Sequence, residues 1–273
     1  AFSKDGSRLV AGGRGPNLLL WNLGNTEKSP APQAILAPGP VTSLAFDPGG
    51  DRVAVAIGGE GYAWLWELGD KAPKTLFHDP GGSRVTALAF GPARVATGWQ
   101  DAAVRVFGLD QDLSLLDTPN GETSVTALAF SPDGKRLAIT CGNGKAKIWI
   151  AGPGKLLENQ DKEVRVLAFS QDGRWLAGGG EEGRVQLWDL ANPSGVPVSW
   201  QGHPGAAVHS ISFANGAREL ITTGQSVRRW PLDVDKLIQL ACEKAGRNLT
   251  QEEWNRHAPP GEPFREGTPC GRD

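Results

Sequence analysis

The sequence contains no methionine, three cysteines and a single tyrosine among its 273 residues. Because residue 1 is not an initiating methionine, we expect the chain to be a processed or trimmed piece of a longer protein. Three cysteines without a Cys-x-x-Cys pair are too few for a disulfide framework, and this favours a reducing, cytoplasmic location. Cys242 and Cys270 could pair with each other, although free thiols are the simpler expectation.

Long apolar runs and an excess of charge of one sign are also missing. No segment approaches the roughly 18 consecutive apolar residues that a membrane helix requires, so we expect no membrane association. The 28 Lys and Arg residues face 30 Asp and Glu residues, giving a net charge of −2. A chain without net positive charge lacks the overall attraction that drives phosphate binding, so nucleic acid is not an expected partner.

The sequence motifs of catalysis and cofactor binding are absent as well. There is no Gly-x-x-x-x-Gly-Lys-Ser/Thr phosphate loop and no His-Glu-x-x-His zinc motif. The four histidines have no Cys/His spacing that would suit zinc, and His78 and His203 precede strands, where a structural role is the simpler interpretation. The sequence therefore predicts no catalytic residue, no cofactor and no metal, and hence a chain that is not an enzyme by itself.

A repeat of 39 to 44 residues runs through residues 1–230. It is marked by two sets of aromatic residues that keep a constant separation, the second following the first after 17 to 20 residues. The first set is Phe2, Phe46, Phe90, Phe130, Phe169 and Phe213, and the second is Trp21, Trp66, Phe107, Trp149, Trp188 and Trp230. Repeats of this length indicate one supersecondary unit stacked several times.

Within one repeat the sequence predicts four short antiparallel strands. In the fourth repeat, residues 125–130 form an apolar run that is followed by Ser131-Pro132-Asp133-Gly134, a turn sequence in which glycine allows a positive φ. Residues 136–140 and 145–150 give a second and a third strand, and a short run near Leu156 gives a fourth. Four strands per repeat is typical of one blade of a radial stack in which neighbouring blades cover both faces.

On these residues the chain resembles a WD40-repeat β-propeller. Trp188-Asp189 and Gly202-His203 match the family's two dipeptides, which have drifted in the other repeats. The resemblance implies an all-β fold with six visible repeats. It also implies a hydrogen-bonded network of His, Ser/Thr, Asp and Trp inside a blade, which the third repeat offers in part through His78, Thr97 and Asp101, with Phe107 in place of the tryptophan.

The two ends of the sequence differ from a complete repeat. Residue 1 falls within a first strand, and the last repeat lacks a fourth strand, so we expect the ring to be completed upstream, with seven blades in the full-length protein. Residues 231–273 form a separate tail for which capping and staple patterns predict two short helices. The tail resembles the ending of bacterial multidomain WD40 proteins that carry STAND-type NTPase, kinase, caspase-like protease or TIR domains.

The resemblance also places the residues that a partner would contact. In propellers, the narrow face exposes residues that enter the first strands and those in the turns between second and third strands. In this sequence these positions are Arg14, Arg84, Thr86, Trp99, Gln100, Thr126, Glu163, Arg165, Glu181, His209 and Gln225. Trp99 is expected either to be an exposed anchor for a partner or to fold onto an adjacent blade, and the arginines and glutamates predict a mixed-charge rim suited to a protein or peptide.

Three functions remain open from the sequence. The first is a non-catalytic sensor or scaffold that binds a protein or peptide on its narrow face and cooperates with upstream domains of the same chain in bacterial signalling or defence. The second is a stand-alone scaffold that assembles a complex. The third is a propeller enzyme with a site in the central channel, against which the apolar character of the innermost strands argues.

Overall fold

The fold was analysed in a computed structural model of the chain. It describes residues 1–15, 17–24, 31–58, 61–69, 73–78, 83–109, 113–116, 123–142, 146–150, 155–156, 164–191 and 197–232. Every regular element in these ranges is a β-strand, and the strands form six separate antiparallel sheets that follow one another in chain order. The predicted tail helices lie outside the described residues.

The six sheets are named blades 1 to 6. Blade 1 contains β1 (Arg8–Ala11), β2 (Asn17–Asn22) and β3 (Gln33–Leu36); blade 2 contains β4 (Val41–Phe46), β5 (Arg52–Ile57), β6 (Tyr62–Glu67) and β7 (Lys74–His78); blade 3 contains β8 (Val85–Phe90), β9 (Arg94–Trp99), β10 (Val104–Gly108) and β11 (Leu113–Leu116). Blade 4 contains β12 (Val125–Phe130), β13 (Arg136–Cys141), β14 (Ala146–Ile150) and β15 (Lys155–Leu156); blade 5 contains β16 (Val164–Phe169), β17 (Trp175–Gly180), β18 (Arg184–Asp189) and β19 (Val198–Gln201); blade 6 contains β20 (Ser210–Ala214), β21 (Glu219–Thr223) and β22 (Val227–Pro231).

The predicted repeat and the predicted fold class are confirmed by this arrangement. Blades 2 to 5 have four strands each, and in every one of them hydrogen bonding joins consecutive strands. In blade 1 the position of the first strand is taken by Phe2, which forms an isolated antiparallel bridge with Leu9. The strands predicted in the fourth repeat agree with the observed β12 to β15 within one residue at each end.

A serine–aspartate–glycine turn joins the first and second strands in three blades. In blade 4, Ser131 Oγ donates a hydrogen bond to Asp133 Oδ1 (2.5 Å) and accepts one from the backbone N–H of Arg136 (2.9 Å), while Gly134 has a φ of +68°. The serine hydroxyl and the N–H of Lys135 lower the pKa of Asp133, because both stabilise the carboxylate. The same bonds recur in blades 1 and 5, through Ser3, Asp5, Ser170 and Asp172.

The hydrophobic core lies between successive blades. In β5, Val53 and Val55 pack against Val10 of blade 1. The alternate residues of the same strand, Ala54 and Ala56, face blade 3 and contact a second cluster. Because neighbours cover both faces of a sheet, the apolar residues of a strand need not alternate with polar ones. This explains why the sequence shows short continuous apolar runs.

The first strands line the centre of the stack. β4 contacts β8, β8 contacts β12, β12 contacts β16, and β16 contacts β20, each across a blade boundary. Where these strands begin, a valine of one blade lies close to a glycine of the preceding blade: a Cβ on Gly98 would lie 2.3 Å from Val125 Cγ1, and one on Gly179 would lie 2.5 Å from Val208 Cγ1. The glycines at the ends of the second strands therefore allow the blades to approach.

Candidate partner-binding face

A β-bulge occurs at the same position of four inner strands. The register of β4, β8, β12 and β16 shifts directly after the buried valine that begins each strand. The residues at the bulge are Thr42, Thr86, Thr126 and Arg165. Bulges re-aim side chains and are common at the rims of sheets. The narrow face, defined as the end at which these strands begin, is thus built from one repeated backbone irregularity.

In blades 2 to 4 the bulge residue is a threonine whose hydroxyl is used within the fold. Thr42 Oγ1 donates to the Val85 carbonyl of the next blade at 3.2 Å, and Thr86 Oγ1 donates to the Val125 carbonyl at 2.6 Å. Thr126 Oγ1 lies 2.9 Å from Thr140 Oγ1. Thr42 and Thr86 thus join neighbouring blades, whereas Thr126 contacts the second strand of its own blade. The predicted contact residues Thr86 and Thr126 are therefore already hydrogen-bonded within the fold.

In blades 5 and 6 the equivalent positions carry ionisable side chains. Arg165 is exposed, and its Nη2 lies 2.5 Å from Oε1 of Glu181, which follows β17. His209 precedes β20, is exposed, and donates its backbone N–H to the Thr223 carbonyl at 2.7 Å. Because β16 contacts β20, these groups lie at neighbouring strand ends on one end of the stack. We name Arg165, Glu181 and His209 the charged sector.

The other predicted contact residues are distributed around the same face. Arg84 and Gln100 are exposed and close together, since the N–H of Gln100 donates to the Arg84 carbonyl at 2.9 Å. Arg14 and Gln225 are exposed residues between the second and third strands of blades 1 and 6. Glu163 lies outside the described residues.

Of the two expectations for Trp99, the exposed contact residue for a partner is wrong. Its side chain is 0% exposed and belongs to the apolar cluster between blades 2 and 3, with Ala54, Ala56 and Val95. The alternative expectation, that the indole folds onto an adjacent blade, is the one that the structure bears out. A partner on the narrow face therefore cannot contact this ring.

The indole of Trp99 also changes the predicted network of blade 3. Its Nε1 donates to Thr97 Oγ1 at 2.8 Å, and the Arg105 guanidinium lies 4.4 Å from its ring centroid. Asp101 Oδ1 accepts the backbone N–H of Ala103 at 3.0 Å. The side chain of Phe107 has no N–H, and the donor to Thr97 comes from Trp99 at the end of β9 instead of from β10. The side chain of His78 lies outside the described residues.

Blade 6 contains a family-like network that the sequence analysis missed. His203 Nε2 lies 2.8 Å from Thr222 Oγ1, which also accepts a hydrogen bond from Trp230 Nε1 at 2.9 Å. His203 and Thr222 are buried. The repeat register already places a histidine before β20, a threonine in β21 and a tryptophan in β22, so this trio could have been found. The structural role predicted for His203 is confirmed.

We expect the His203 network to make the propeller less stable in mild acid. Burial lowers the pKa of His203, and the charges of Arg228 and His209 lower it further. Below a pH of about 6.5, the unfolded chain binds a proton at this histidine that the folded protein does not bind, so stability falls as the pH falls. Urea midpoints between pH 7.5 and pH 5.5 should decrease in the wild type and decrease less in His203→Gln.

The matched control for this prediction is His209→Gln, which changes an exposed imidazole near the same strand. It should keep most of the wild-type dependence of the midpoint on pH, because burial, the largest cause of the lowered His203 pKa, is unchanged and only the smaller contribution of the His209 charge is removed. An equal decrease in the wild type and in His203→Gln would contradict the assignment of the effect to His203.

The described residues offer no grouping typical of a metal site. Among them, no three His, Cys, Asp or Glu side chains come close enough together to hold an ion. Within the same ranges, no helix has the length and apolar character needed to cross a membrane.

Comparison with known proteins agrees with this architecture. The family model of the WD domain, G-beta repeat, matches residues 113–149 and 153–189. A chain in the crystal structure of the mitotic checkpoint complex superposes with a TM-score of 0.72 at 19% identity, covering 85% of this chain and 72% of that one. The fold is therefore that of a β-propeller, and the two segments that the family model matches are WD40 repeats.

Two curated relatives share part of the sequence. Human coronin-7 is 28% identical over 129 residues, which is 43% of this chain and 14% of the relative. SEC12-like protein 1 of Arabidopsis thaliana is 28% identical over 190 residues, which is 56% of this chain and 48% of the relative. The chain thus spans less than half the length of either relative.

Proposed function

We propose that this propeller is a non-catalytic interaction module that binds a protein or peptide partner on its narrow face. The observation that carries the proposal is the charged sector. At the bulge position, three blades use a threonine within the fold, whereas blade 5 presents an exposed arginine paired with a glutamate. An exposed ion pair contributes little to stability, about 0–1 kcal/mol, so its placement favours recognition over folding.

The charged sector suits a polar, mixed-charge partner surface. Arg165 and Glu181 are each close to half exposed and can exchange their mutual contact for contacts to a partner. His209 adds a hydrogen-bonding ring directly before β20, and Gln225 adds an amide in the turn between β21 and β22. Arg84 and Gln100 of blade 3 extend the same face as a second contact region. Electrostatic complementarity of this kind governs specificity and association rate.

The charge-reversal variant Arg165→Glu tests the proposal. Because it places two carboxylates side by side, we expect it to weaken partner binding at least tenfold while the unfolding midpoint stays close to that of the wild type. The partner would be captured from cells that produce the protein, identified by mass spectrometry and then titrated against each variant.

Two further variants control the experiment. Arg218→Glu reverses an exposed arginine in the turn at the opposite end of blade 6 and should leave binding unchanged. Arg165→Glu combined with Glu181→Arg restores an ion pair in reverse, and it should fold normally but still bind poorly. A partner that binds all of these proteins equally would disprove the assignment to the charged sector.

The wider context is a second part of the proposal. We propose that the propeller is the sensor or scaffold part of a larger cytoplasmic protein of bacterial signalling or defence. The support is the tail sequence, whose segment from Ala241-Cys242 through Glu253-Trp254 to Cys270 resembles the ending of bacterial multidomain WD40 proteins. An NTPase, kinase, protease or TIR motif in the preceding sequence would support this context, whereas a preceding stretch of one blade would favour a stand-alone scaffold.

A further inference from the structure

The turn between the first and second strands is shortened in blade 3. Three residues, 91–93, separate β8 from β9, whereas five residues separate the equivalent strands in blades 2, 4 and 5. The short turn lacks the serine–aspartate–glycine bonds of blade 4. It lies at the opposite end of the first strands from the charged sector, on what we name the turn face.

A pocket of about 260 Å³ opens beside this short turn, between blades 3 and 4. Its apolar lining comes from Pro92 and from the half-buried ring of Phe130. Its polar lining comes from Arg94, Asp133 and Lys135. The pocket thus lies beside a turn that is two residues shorter than the equivalent turns of blades 2, 4 and 5.

Arg94 differs from Arg8 and Arg136, the arginines at the same position in blades 1 and 4. Arg8 Nη1 donates to the Gly50 carbonyl of the next blade at 2.6 Å and lies 3.0 Å from Asp51 Oδ1. Arg136 Nη1 donates to the Gly173 carbonyl at 3.4 Å. Arg94 is exposed at the pocket, and its guanidinium makes no hydrogen bond or ion pair with any residue that the structure describes.

The charge of the pocket is positive. Arg94 and Lys135 contribute two cations. The carboxylate of Asp133 contributes one negative charge, but its Oδ1 already accepts bonds from Ser131 Oγ (2.5 Å) and from the Lys135 N–H (3.1 Å). An unpaired guanidinium beside an apolar floor matches a carboxylate with an adjacent apolar group.

We propose that this pocket binds an acidic peptide segment, with a carboxylate side chain on Arg94 and Lys135 and a neighbouring apolar side chain on Pro92 and Phe130. The site lies at the opposite end of the blades from the charged sector, so it is a second interaction surface and does not depend on the proposed function of the narrow face. Recognition of this kind loses affinity as salt increases, because exposed charges are screened.

Titration of the ¹⁵N-labelled full chain with two short peptides tests the proposal. The probes are acetyl-leucyl-glutamyl-leucine amide and its neutral counterpart with glutamine in the central position. With the acidic peptide we expect NMR shifts confined to the amides of Gly91, Ala93, Arg94, Gly134 and Lys135. The dissociation constant for the neutral peptide should be at least tenfold higher.

Two variants locate the binding. Arg94→Glu should raise the dissociation constant for the acidic peptide at least tenfold, whereas Arg218→Glu, an exposed arginine in the equivalent turn of blade 6, should leave it unchanged. Replacing residues 91–93 by the sequence of residues 131–135 should close the pocket and abolish the shifts. This graft uses a turn that already folds in the neighbouring blade.

Several results would overturn the proposal. These are the absence of shifts at millimolar peptide, equal binding of the neutral peptide, shifts centred elsewhere, or unchanged binding by Arg94→Glu. If the turn graft does not fold, Arg94→Glu decides the matter, since it alters an exposed side chain. Shifts at the charged sector alone would contradict this site without bearing against the narrow-face proposal.

Discussion

Replacing Trp99 with alanine is expected to lower the free energy of unfolding by about 3–5 kcal/mol, the usual cost of removing a large aromatic side chain from a packed core. The ring is fully buried between blades 2 and 3, where it contacts the cluster that contains Val85 and Val95. The substitution would also remove the hydrogen bond to Thr97 and the stacking of Arg105 on the ring. Neighbouring strands could relax only in part into the space left behind.

Urea unfolding at neutral pH measures this effect, and Trp99→Phe is the matched variant. Phenylalanine keeps much of the apolar volume but has no N–H, so it should cost about 1–3 kcal/mol, since the buried Thr97 hydroxyl loses its donor. A loss below about 1 kcal/mol for Trp99→Ala would indicate that the indole is not buried as described. Binding of a narrow-face partner to the folded fraction should remain unchanged in both variants.

The fold could be predicted from the sequence because the residues that pack one blade against the next recur in every repeat. Each blade needs an aromatic residue at the end of its first strand and another in its third strand, and each needs a glycine or a small residue where blades approach. Six repetitions of Phe and Trp at a constant separation therefore identify both the strands and their order. The turn at Ser131–Gly134 is equally local, since its hydrogen bonds lie within six residues.

The candidate site could be predicted only in part, because burial depends on the neighbouring blade. Trp99 follows a glycine near a turn, a position that is compatible with exposure, and only the packing against Ala54 and Ala56 of blade 2 buries it. The bulges at Thr86 and Arg165 depend on pairing with the second strand, which the residues of the first strand do not define by themselves. The partner of a bulge residue follows from its chemistry: the short side chain of Thr86 reaches the Val125 carbonyl, whereas Arg165 extends to Glu181.

Gly183, in the turn between β17 and β18 of blade 5, contacts the chain segment that leads to His209 of the charged sector. Its carbonyl accepts the backbone N–H groups of Gly202 and His203, at 2.9 and 2.8 Å, and so holds the connection between blades 5 and 6. Its φ is +79°, and a Cβ at this residue would lie 1.7 Å from the His203 carbonyl oxygen and 2.5 Å from that of Ala206. Both atoms belong to the backbone, so no side-chain rotation could relieve the overlap.

Gly183→Ala is therefore expected to lower the free energy of unfolding by about 2–5 kcal/mol, the sum of about 1–2 kcal/mol for the left-handed backbone and about 1–3 kcal/mol for overpacking. Gly205→Ala is the matched control, because Gly205 has a φ of +73° in the same connection but has no atom within 4 Å of a Cβ. It should cost only the backbone term, about 1–2 kcal/mol. Urea unfolding of both variants gives the difference, and equal losses would refute the close approach of Gly183 to His203. Because this connection leads directly into His209, Gly183→Ala should also weaken binding at the charged sector, whereas Gly205→Ala should not.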